Sequence, residues 1–428
     1  MSNVPRSDET LAPVPALFVG IDWADQHHDV HWIAADGRTG RRRIDQSAEQ
    51  IEELLDFLRR EAPGGLVAIA VEKGRGPLHY ALMDRAGLQL YLIDPKQAAR
   101  YRESFTSGGG KADDTDAALW ARLISERHRE LKPFTPDDPG TRRLAELCQA
   151  RRQLVDQRTR LKQNLTALLK TLFPLLLQLG TVDGPLVLTV AQRWADPRTF
   201  RRLSPRQLTR LFRNCVTRND ERIAQLVAQV RSTPLITSDG PVLEAGAVRM
   251  AAAAAQIAAL APQIETLEEL IRQAFAAHPD APLLEQVPGA GEALAPRLLA
   301  AFGSDRDRYA NADEVAIVSG IAPRTRQSGQ SRQVARRRAC SRFLKQTFHE
   351  FADAARKWCP WSQAYYALLR QRGMAHHAAL RKLARCWIRI LYAVWKTRRP
   401  YNPDQYLAQL HSQNHPLLAF LTPPNKTS

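Results

Sequence analysis

The sequence predicts an α/β domain at the N-terminus, followed by a coiled-coil region and an all-α C-terminal domain. Strand-like and helix-like segments alternate over residues 17–135. Apolar repeats with steps of three and four residues mark two helices within 141–280, and helical periodicity continues over 284–399. A chain of 428 residues is long enough to build more than one hydrophobic core. We therefore expect separate domains in that order.

Positive charge is concentrated in the C-terminal two thirds of the chain. The 61 Lys and Arg residues exceed the 44 Asp and Glu residues, which gives a formal net charge of +17. Residues 1–135 hold 18 basic and 21 acidic residues, a net charge of −3, so the remainder carries +20. Such segregation favours a polyanionic partner, and nucleic acid is the obvious one because binding its phosphates releases counterions.

The first predicted domain, residues 17–135, contains apolar runs typical of buried strands. These runs are LFVGID, VHWIAA, LVAIAVE and LQLYLID. Helical patterns lie near 47–60, 77–86 and 112–127. The Pro-rich segment 131–140 ends the domain, because proline interrupts both helices and strand ladders. Residues 1–16 are predicted to form a disordered tail.

The region 141–280 contains two helices with leucines and isoleucines at coiled-coil spacing. The first has Leu154, Leu161, Leu165, Leu168 and Leu172, and the second has Ile257, Leu260, Ile264, Leu267 and Ile271. Two such seams can pair within one chain or join two chains, and the pattern leaves both open. The region is therefore predicted to connect domains and to support dimerisation.

The predicted C-terminal domain covers residues 284–399, and a tail follows over 400–428. It opens on the sequence VPGAG, whose Gly289 and Gly291 resemble the hairpin of a helix-hairpin-helix element that contacts phosphate. A later helix combines Arg381, Lys382 and Arg385 with leucines at helical spacing. We interpret it as an amphipathic packing helix rather than one that reads bases.

Four acids in the first domain are candidate metal ligands. Asp22 and Glu72 each follow an apolar strand, and Asp113 and Asp116 lie three residues apart, on one face of a predicted helix start. Convergent carboxylates repel one another unless cations neutralise them, and Mg²⁺ or Mn²⁺ would suit such oxygen ligands. The alternative is that Asp22 ends its strand in a turn, Glu72 is a surface acid, and the acids at the helix start are caps.

Ser328 is the candidate nucleophile in a strongly basic segment. Residues 323–345 contain eight Lys or Arg residues and no acid. Ser319 and Ser331 are rival serines, and the segment can alternatively be a flexible loop that only contacts phosphates. The basic residues predicted to bind nucleic acid are Arg324, Arg326, Arg332, Arg336, Arg337 and Arg338.

The sequence contains no run of about 18–20 uniformly apolar residues, and its N-terminus lacks the pattern of a secretory signal. We therefore expect a cytoplasmic protein. Five cysteines without a CxxC pair make a disulfide framework or a zinc site improbable.

The ordered motifs resemble the insertion-sequence family 110/1111 transposases. The order is VGIDWA, VEK, KADDTDA, a helical segment, VPGAG, SGIAPRTRQSG and a helical AALRKLAR tail, and it covers roughly residues 17–405. The resemblance implies a RuvC-like, ribonuclease-H-type N-terminal domain, a coiled-coil connection and a C-terminal transposase domain that carries a nucleophilic serine.

The resemblance also implies roles for individual residues. Asp22, Glu72, Asp113 and Asp116 match the four metal-binding acids of the DEDD type, with Asp114 as an alternative third ligand. Ser328 matches the serine of the motif that reads GIAPRTRQSG here.

A family member of this kind is expected to cut and rejoin DNA through a phosphoserine linkage, with Mg²⁺ or Mn²⁺ and a guide (bridge) RNA. The expected assembly is a homodimer at one site and a tetramer at synapsis, in the bacterial cytoplasm near the nucleoid. The alternatives are a RuvC-like metal-dependent nuclease that uses water, or a nucleic-acid-binding protein without catalysis.

Overall fold

The computed structural model describes residues 14–72, 76–94, 101, 116–329, 331–414, 417–418 and 421. The chain divides into two compact units, Met1–Asp137 and Asp138–Ser428. The first is a mixed sheet with helices and the second is largely helical, which confirms the predicted α/β part followed by an α part. Of the predicted disordered tail, residues 1–13 lie outside the described residues.

A five-stranded mixed sheet forms the centre of the first unit. Its strands are β1 (Leu17–Trp23), β2 (His27–Ala34), β3 (Thr39–Asp45), β4 (Val67–Glu72) and β5 (Leu88–Ile93). The order across the sheet is β3-β2-β1-β4-β5. β1 pairs antiparallel with β2, and β2 with β3, whereas β1, β4 and β5 run parallel.

Helices cover both faces of this sheet. They are α1 (Ala48–Glu61), α2 (Pro77–Leu82) and α3 (Asp116–Arg127). Successive strand residues point to opposite faces. Leu17, Val19 and Ile21 of β1 therefore pack in the core that contains α1 and α2. Phe18 packs in the other core, which contains Trp120 of α3.

The second unit is built from fourteen described helices and one hairpin of two strands. The helices are α4 (Pro139–Leu172), α5 (Leu175–Leu179), α6 (Pro185–Arg193), α7 (Pro197–Arg201), α8 (Pro205–Cys215), α9 (Asp220–Ser232), α10 (Gly240–Ala276), α11 (Ala281–Glu285), α12 (Gly291–Phe302), α13 (Ala312–Val318), α14 (Arg342–Trp358), α15 (Pro360–Gln371), α16 (His376–Thr397) and α17 (Pro403–Ser412). The hairpin consists of β6 (Arg324–Ser328) and β7 (Ser331–Ala335), and it departs from the predicted all-α C-terminal domain because Gly329, with φ +54°, lets the chain turn back on itself.

The two long helices α4 and α10 pack along each other within one chain. Leu165, Leu169 and Leu172 share a core with Ile257 at one end of the pair. At the other end the Arg151 guanidinium lies 2.5 Å from the Glu268 carboxylate. The seams therefore pair intramolecularly here, although Leu154, Leu161 and Leu168 are only half-buried. A regular coiled coil and a role in dimerisation remain predictions.

Among the described residues, α10 is the one helix that is long and apolar enough to span a membrane. This differs from the expectation, drawn from the sequence, that no apolar run would be long enough. Core helices of soluble proteins meet the same criterion, and α10 buries Leu243, Met250 and Ile257 in the core that it shares with α4.

Candidate active site

Two of the predicted metal ligands lie side by side at the edge of the first unit's sheet. β1 and β4 pair in parallel with Ile21 opposite Val71, so Asp22 and Glu72 follow as the next residues on adjacent strands. Ile21 and Val71 both face the core of α1 and α2. Because side chains alternate along a strand, Asp22 and Glu72 both lie on the opposite face, which α3 covers. Both are half-buried.

The start of α3 is brought to the same end of the sheet by a close contact with Gly20. A Cβ atom at Gly20 would lie 2.0 Å from the carbonyl oxygen of Ala117, so only glycine fits here. At the other end of β1, the ring of Phe18 lies 5.1 Å from the ring of His128, which follows α3. The helix therefore runs antiparallel to β1, and its first residue, Asp116, lies towards Asp22.

An ion pair on the same face was not predicted as part of the site. Asp29 of β2 stands opposite Asp22 in the antiparallel register, and Arg43 of β3 stands opposite Asp29. The Arg43 Nε donates to Asp29 Oδ1 at 2.8 Å and its Nη2 donates to Oδ2 at 3.1 Å. The hydrogen bond from Arg43 lowers the pKa of Asp29. The sequence carries only a weak signal for this pair, one acid in β2 and three consecutive arginines in β3, and the register decides the pairing.

Among the described residues, no group of three or more His, Cys, Asp or Glu side chains is close enough to hold a metal ion. Asp113 and its alternative, Asp114, lie outside the described residues. The structure thus gathers Asp22 and Glu72 on one face and turns the start of α3 towards them. Two carboxylates at adjacent strand ends are oxygen donors of the kind that Mg²⁺ and Mn²⁺ prefer.

The predicted nucleophile lies in the second unit, at the tip of the β6–β7 hairpin. Ser328 ends β6, pairs with Ser331 across the hairpin and is exposed. Gly329 follows it with φ +54°, in the left-handed region that glycine adopts readily. Of the rival serines, Ser331 is exposed as well, whereas Ser319 is fully buried and its hydroxyl donates to the carbonyl oxygen of Ala316. Burial makes Ser319 unavailable as a nucleophile in this structure.

The predicted basic residues line the hairpin and the segment that follows it. Arg324, Arg336 and Arg338 are exposed and Arg337 is half-buried, whereas the side chains of Arg326 and Arg332 lie outside what the structure describes. These six positions lie within 15 residues of chain, 324–338, and the segment that carries Ser328 is therefore strongly basic.

The glycines of VPGAG have different surroundings. Gly289 has φ +83°, and a Cβ atom there would lie 2.7 Å from the backbone nitrogen of Ala355 in α14. Close packing against α14 therefore explains this glycine by itself. Gly291 has φ +52° and open space around it at the start of α12, so its backbone remains a candidate phosphate contact.

Comparison with known proteins matches parts of both units to transposases. A family model described as a transposase, of the DEDD type of IS110, matches residues 19–174. A second model, described as a transposase of the IS116/IS110/IS902 family, matches residues 281–367. The first match contains Asp22, Glu72, Asp113 and Asp116, and the second contains Ser328.

Curated relatives align along nearly the whole chain. The "mini-circle putative transposase for IS117" of Streptomyces coelicolor is 28% identical, and the alignment covers 92% of this chain and 97% of that protein. The "insertion element IS900 uncharacterized 42 kDa protein" of Mycobacterium paratuberculosis is 28% identical over 90% of this chain and 97% of the relative. A "putative transposase y4uE" of Sinorhizobium fredii is 31% identical over 38% of this chain and 46% of its own length.

Proposed function

Because this chain belongs to the IS110 family of transposases, we propose that it cuts and rejoins the DNA strands of an insertion sequence through a phosphoserine intermediate. The family resemblance inferred from the sequence motifs is confirmed, and with it transposase function and DNA as a partner. The finer mechanism is our proposal.

The observation that carries the proposal is the placement of Asp22 and Glu72 on one sheet face, at adjacent strand ends, with the start of α3 turned towards them. This arrangement supports a RuvC-like first domain in which Asp113 and Asp116 complete the acidic set. A divalent cation, Mg²⁺ or Mn²⁺, would be held by Asp22, Glu72, Asp113 and Asp116 and would supply charge stabilisation at a phosphodiester. A divalent cation fits this site because the carboxylates of Asp22 and Glu72, which share this face, are oxygen donors.

In the proposed chemistry the hydroxyl of Ser328 attacks the scissile phosphate. A bond from Oγ to phosphorus forms as one bond from phosphorus to a sugar oxygen breaks, and the hydroxyl proton passes to that leaving oxygen. A sugar hydroxyl of another strand then attacks the same phosphorus. Its bond to phosphorus forms as the bond from Oγ to phosphorus breaks, and its proton passes to Oγ, which frees the serine. One phosphoester replaces another at each step, so no nucleotide cofactor is needed, which agrees with the absence of a GxxxxGK[ST] motif from the sequence.

The exposed position of Ser328, on the same strand as the exposed Arg324, supports this role. Arginine side chains at the hairpin would bind the phosphate and stabilise the charge that builds on it during attack. Serine alone is a weak nucleophile, so the basic surroundings and the carboxylate site must act on one phosphate. The two sites belong to different units, and their meeting is part of the proposal.

We also propose the partners that the family resemblance implies. A guide RNA would pair with both DNAs, while the protein binds backbone and shape. Recombination joins four strand ends, so a homodimer at one site and a tetramer at synapsis are expected. The protein would work in the bacterial cytoplasm, at the nucleoid.

The test compares wild type, Ser328→Ala and Asp22→Ala with labelled element-end DNA, the RNA transcribed beside the reading frame, and Mg²⁺. We expect wild type to give cut DNA and a DNA-linked protein adduct. Both variants should lose the adduct and at least 10²-fold in rate, because each lacks a group that acts on the phosphate. Ser331→Ala is the matched control and should keep the adduct.

Other outcomes separate the alternatives. Cutting that survives Ser328→Ala but not Asp22→Ala would identify a RuvC-like nuclease that uses water. Binding without cutting in the wild type, under conditions in which a related element transposes, would leave a nucleic-acid-binding protein without catalysis.

A further inference from the structure

A groove lies on the second unit between the base of the serine hairpin and α16. The segment 320–323 and the end of β7 form one wall, and the first half of α16 forms the other. Arg336, Arg381 and Lys382 line the groove together with apolar side chains. The sequence interpretation of α16 as a packing helix does not account for this basic side.

Packing explains only the apolar side of α16. Leu380, Leu383, Trp387 and Ile388 are buried, and the latter three belong to the core of the second unit. Arg381 and Lys382 lie on the opposite side, half-buried and exposed. Their positive charge adds nothing to that core, so it needs another explanation.

Three cations of the groove have no neutralising partner among the described residues. Within the described residues, Arg336, Arg381 and Lys382 have no acidic side chain at ion-pair distance, whereas Arg385 pairs with Asp313 at 2.9 Å. Burial and the nearby charge of Arg336 both lower the pKa of Arg381. Cations held together in this way repel one another, so the groove gains stability when an anion enters it.

Apolar side chains also line the groove. Pro323, Val334, Met374 and Ala378 line it, and 62% of the Val334 surface is exposed. A small inorganic anion has no apolar atoms to pack on these side chains. A phosphodiester chain can pack on them, because apolar sugar carbons alternate with its charged groups.

The hairpin fixes the spacing between the groove and the serine. Ala335, which lines the groove, pairs with Arg324 at the start of β6. Ser328 lies four residues further along the same strand, or about 13 Å at 3.3 Å per residue. This length corresponds to about four nucleotide steps of a B-form strand at 3.4 Å each.

We propose that this groove, between β7 and the basic side of α16, binds the phosphodiester backbone of a nucleic-acid strand about four nucleotides from the bond that Ser328 attacks. The proposal deepens the proposed function and rests on it for the identity of the attacked bond. The strand is either the DNA that is cut or the RNA that guides the cut. Both offer the same backbone chemistry, and the test distinguishes them.

Binding is measured in the full chain with Ser328→Ala in every protein and EDTA in the buffer. The probes are a 30-nucleotide single-stranded DNA, its duplex and the RNA of the same sequence, each followed by fluorescence anisotropy between 50 and 300 mM salt. The groove variant combines Arg336→Ala, Arg381→Ala and Lys382→Ala. The matched control removes three exposed charges elsewhere in the second unit, with Arg206→Ala, Arg210→Ala and Arg218→Ala.

We expect the groove variant to bind at least one probe tenfold or more weakly at 150 mM salt. Its plot of log affinity against log salt should be shallower by about 0.7–0.9 for each phosphate that the variant no longer neutralises. The probe with the altered slope identifies the strand in the groove. The charge-keeping variant Arg336→Lys, Arg381→Lys should retain the wild-type slope, which separates charge from misfolding.

The proposal is overturned if the groove variant keeps wild-type slopes for all three probes, or if the control variant loses as much affinity as the groove variant. Neither result depends on cutting, because the serine hydroxyl and the divalent ion are absent. Failure of the groove is thus distinguishable from failure of the proposed chemistry.

Discussion

At the scale of single residues, Asp138 shows how one side chain fixes the start of the second unit. It caps α4, and its carboxylate accepts hydrogen bonds from the Thr141 hydroxyl at 2.6 Å and the Thr141 backbone N–H at 3.0 Å. Burial by itself would raise the pKa of Asp138, but these hydrogen bonds and one from Ser304 lower it to about 2.

We expect Asp138→Ala to lower the free energy of unfolding of the second unit by about 1 kcal/mol at pH 7, because the helix no longer has its cap. The folded-state pKa lies below the usual value near 4, so the contribution is complete above about pH 4 and is lost as the pH falls towards 2. Urea unfolding at pH 7 and pH 3 measures the difference. Asp138→Asn keeps a capping side chain and should lose less; a pH-independent deficit in Asp138→Ala would contradict this account.

At the scale of elements, the contact between β1 and α3 is what turns the helix start towards the acids. Gly20→Ala would place a methyl group against Ala117 and Ala121, whose backbone atoms lie 2.0 and 2.4 Å from the added carbon. We expect the free energy of unfolding of the first unit to fall by roughly 1–3 kcal/mol, because the helix must move off the sheet. Gly76→Ala adds the same methyl group in open space at the N-cap of α2, and it should lower the free energy of unfolding by less, under about 1 kcal/mol. Equal melting temperatures for the two variants would show that α3 docks without this contact.

At the scale of the whole molecule, each unit has its own cores. The two cores around the sheet use residues from Met1–Asp137 alone, and the two helical cores use residues from Asp138–Ser428 alone. We therefore expect two unfolding transitions in the full chain. Mg²⁺ should stabilise only the unit whose transition Gly20→Ala lowers. At a Mg²⁺ concentration 100 times the dissociation constant, the free energy of unfolding of that unit should rise by about 2.7 kcal/mol.

Differential scanning calorimetry with and without Mg²⁺ makes this measurement. Asp22→Ala should abolish the shift, and Asp25→Ala, an exposed acid of the following turn, should retain it. A Mg²⁺ shift in the other transition, or none in either, would argue against a metal site on the first sheet.

Much of this arrangement follows from local patterns, and the rest depends on contacts between residues far apart in the chain. Apolar runs that end in Asp22 and Glu72 predict two strand ends, whereas the face that the two acids share follows from the parallel register of β1 and β4. The pairing of Asp29 with Arg43 depends on the register of β2 and β3, which no single segment specifies. The packing of Gly289 on Ala355 could not be predicted either, because it joins a turn to a helix much further along the chain.

The hairpin that carries Ser328 has a consequence for control of the enzyme. Its described side chains are exposed on both strands, and a two-stranded ribbon with no apolar face of its own is marginally stable in water. The rigidity of the ribbon therefore depends on what packs against it. On the mechanism proposed above, the Ser328 hydroxyl would be held in position for attack only when substrate lies against the ribbon, which would confine cutting to bound DNA.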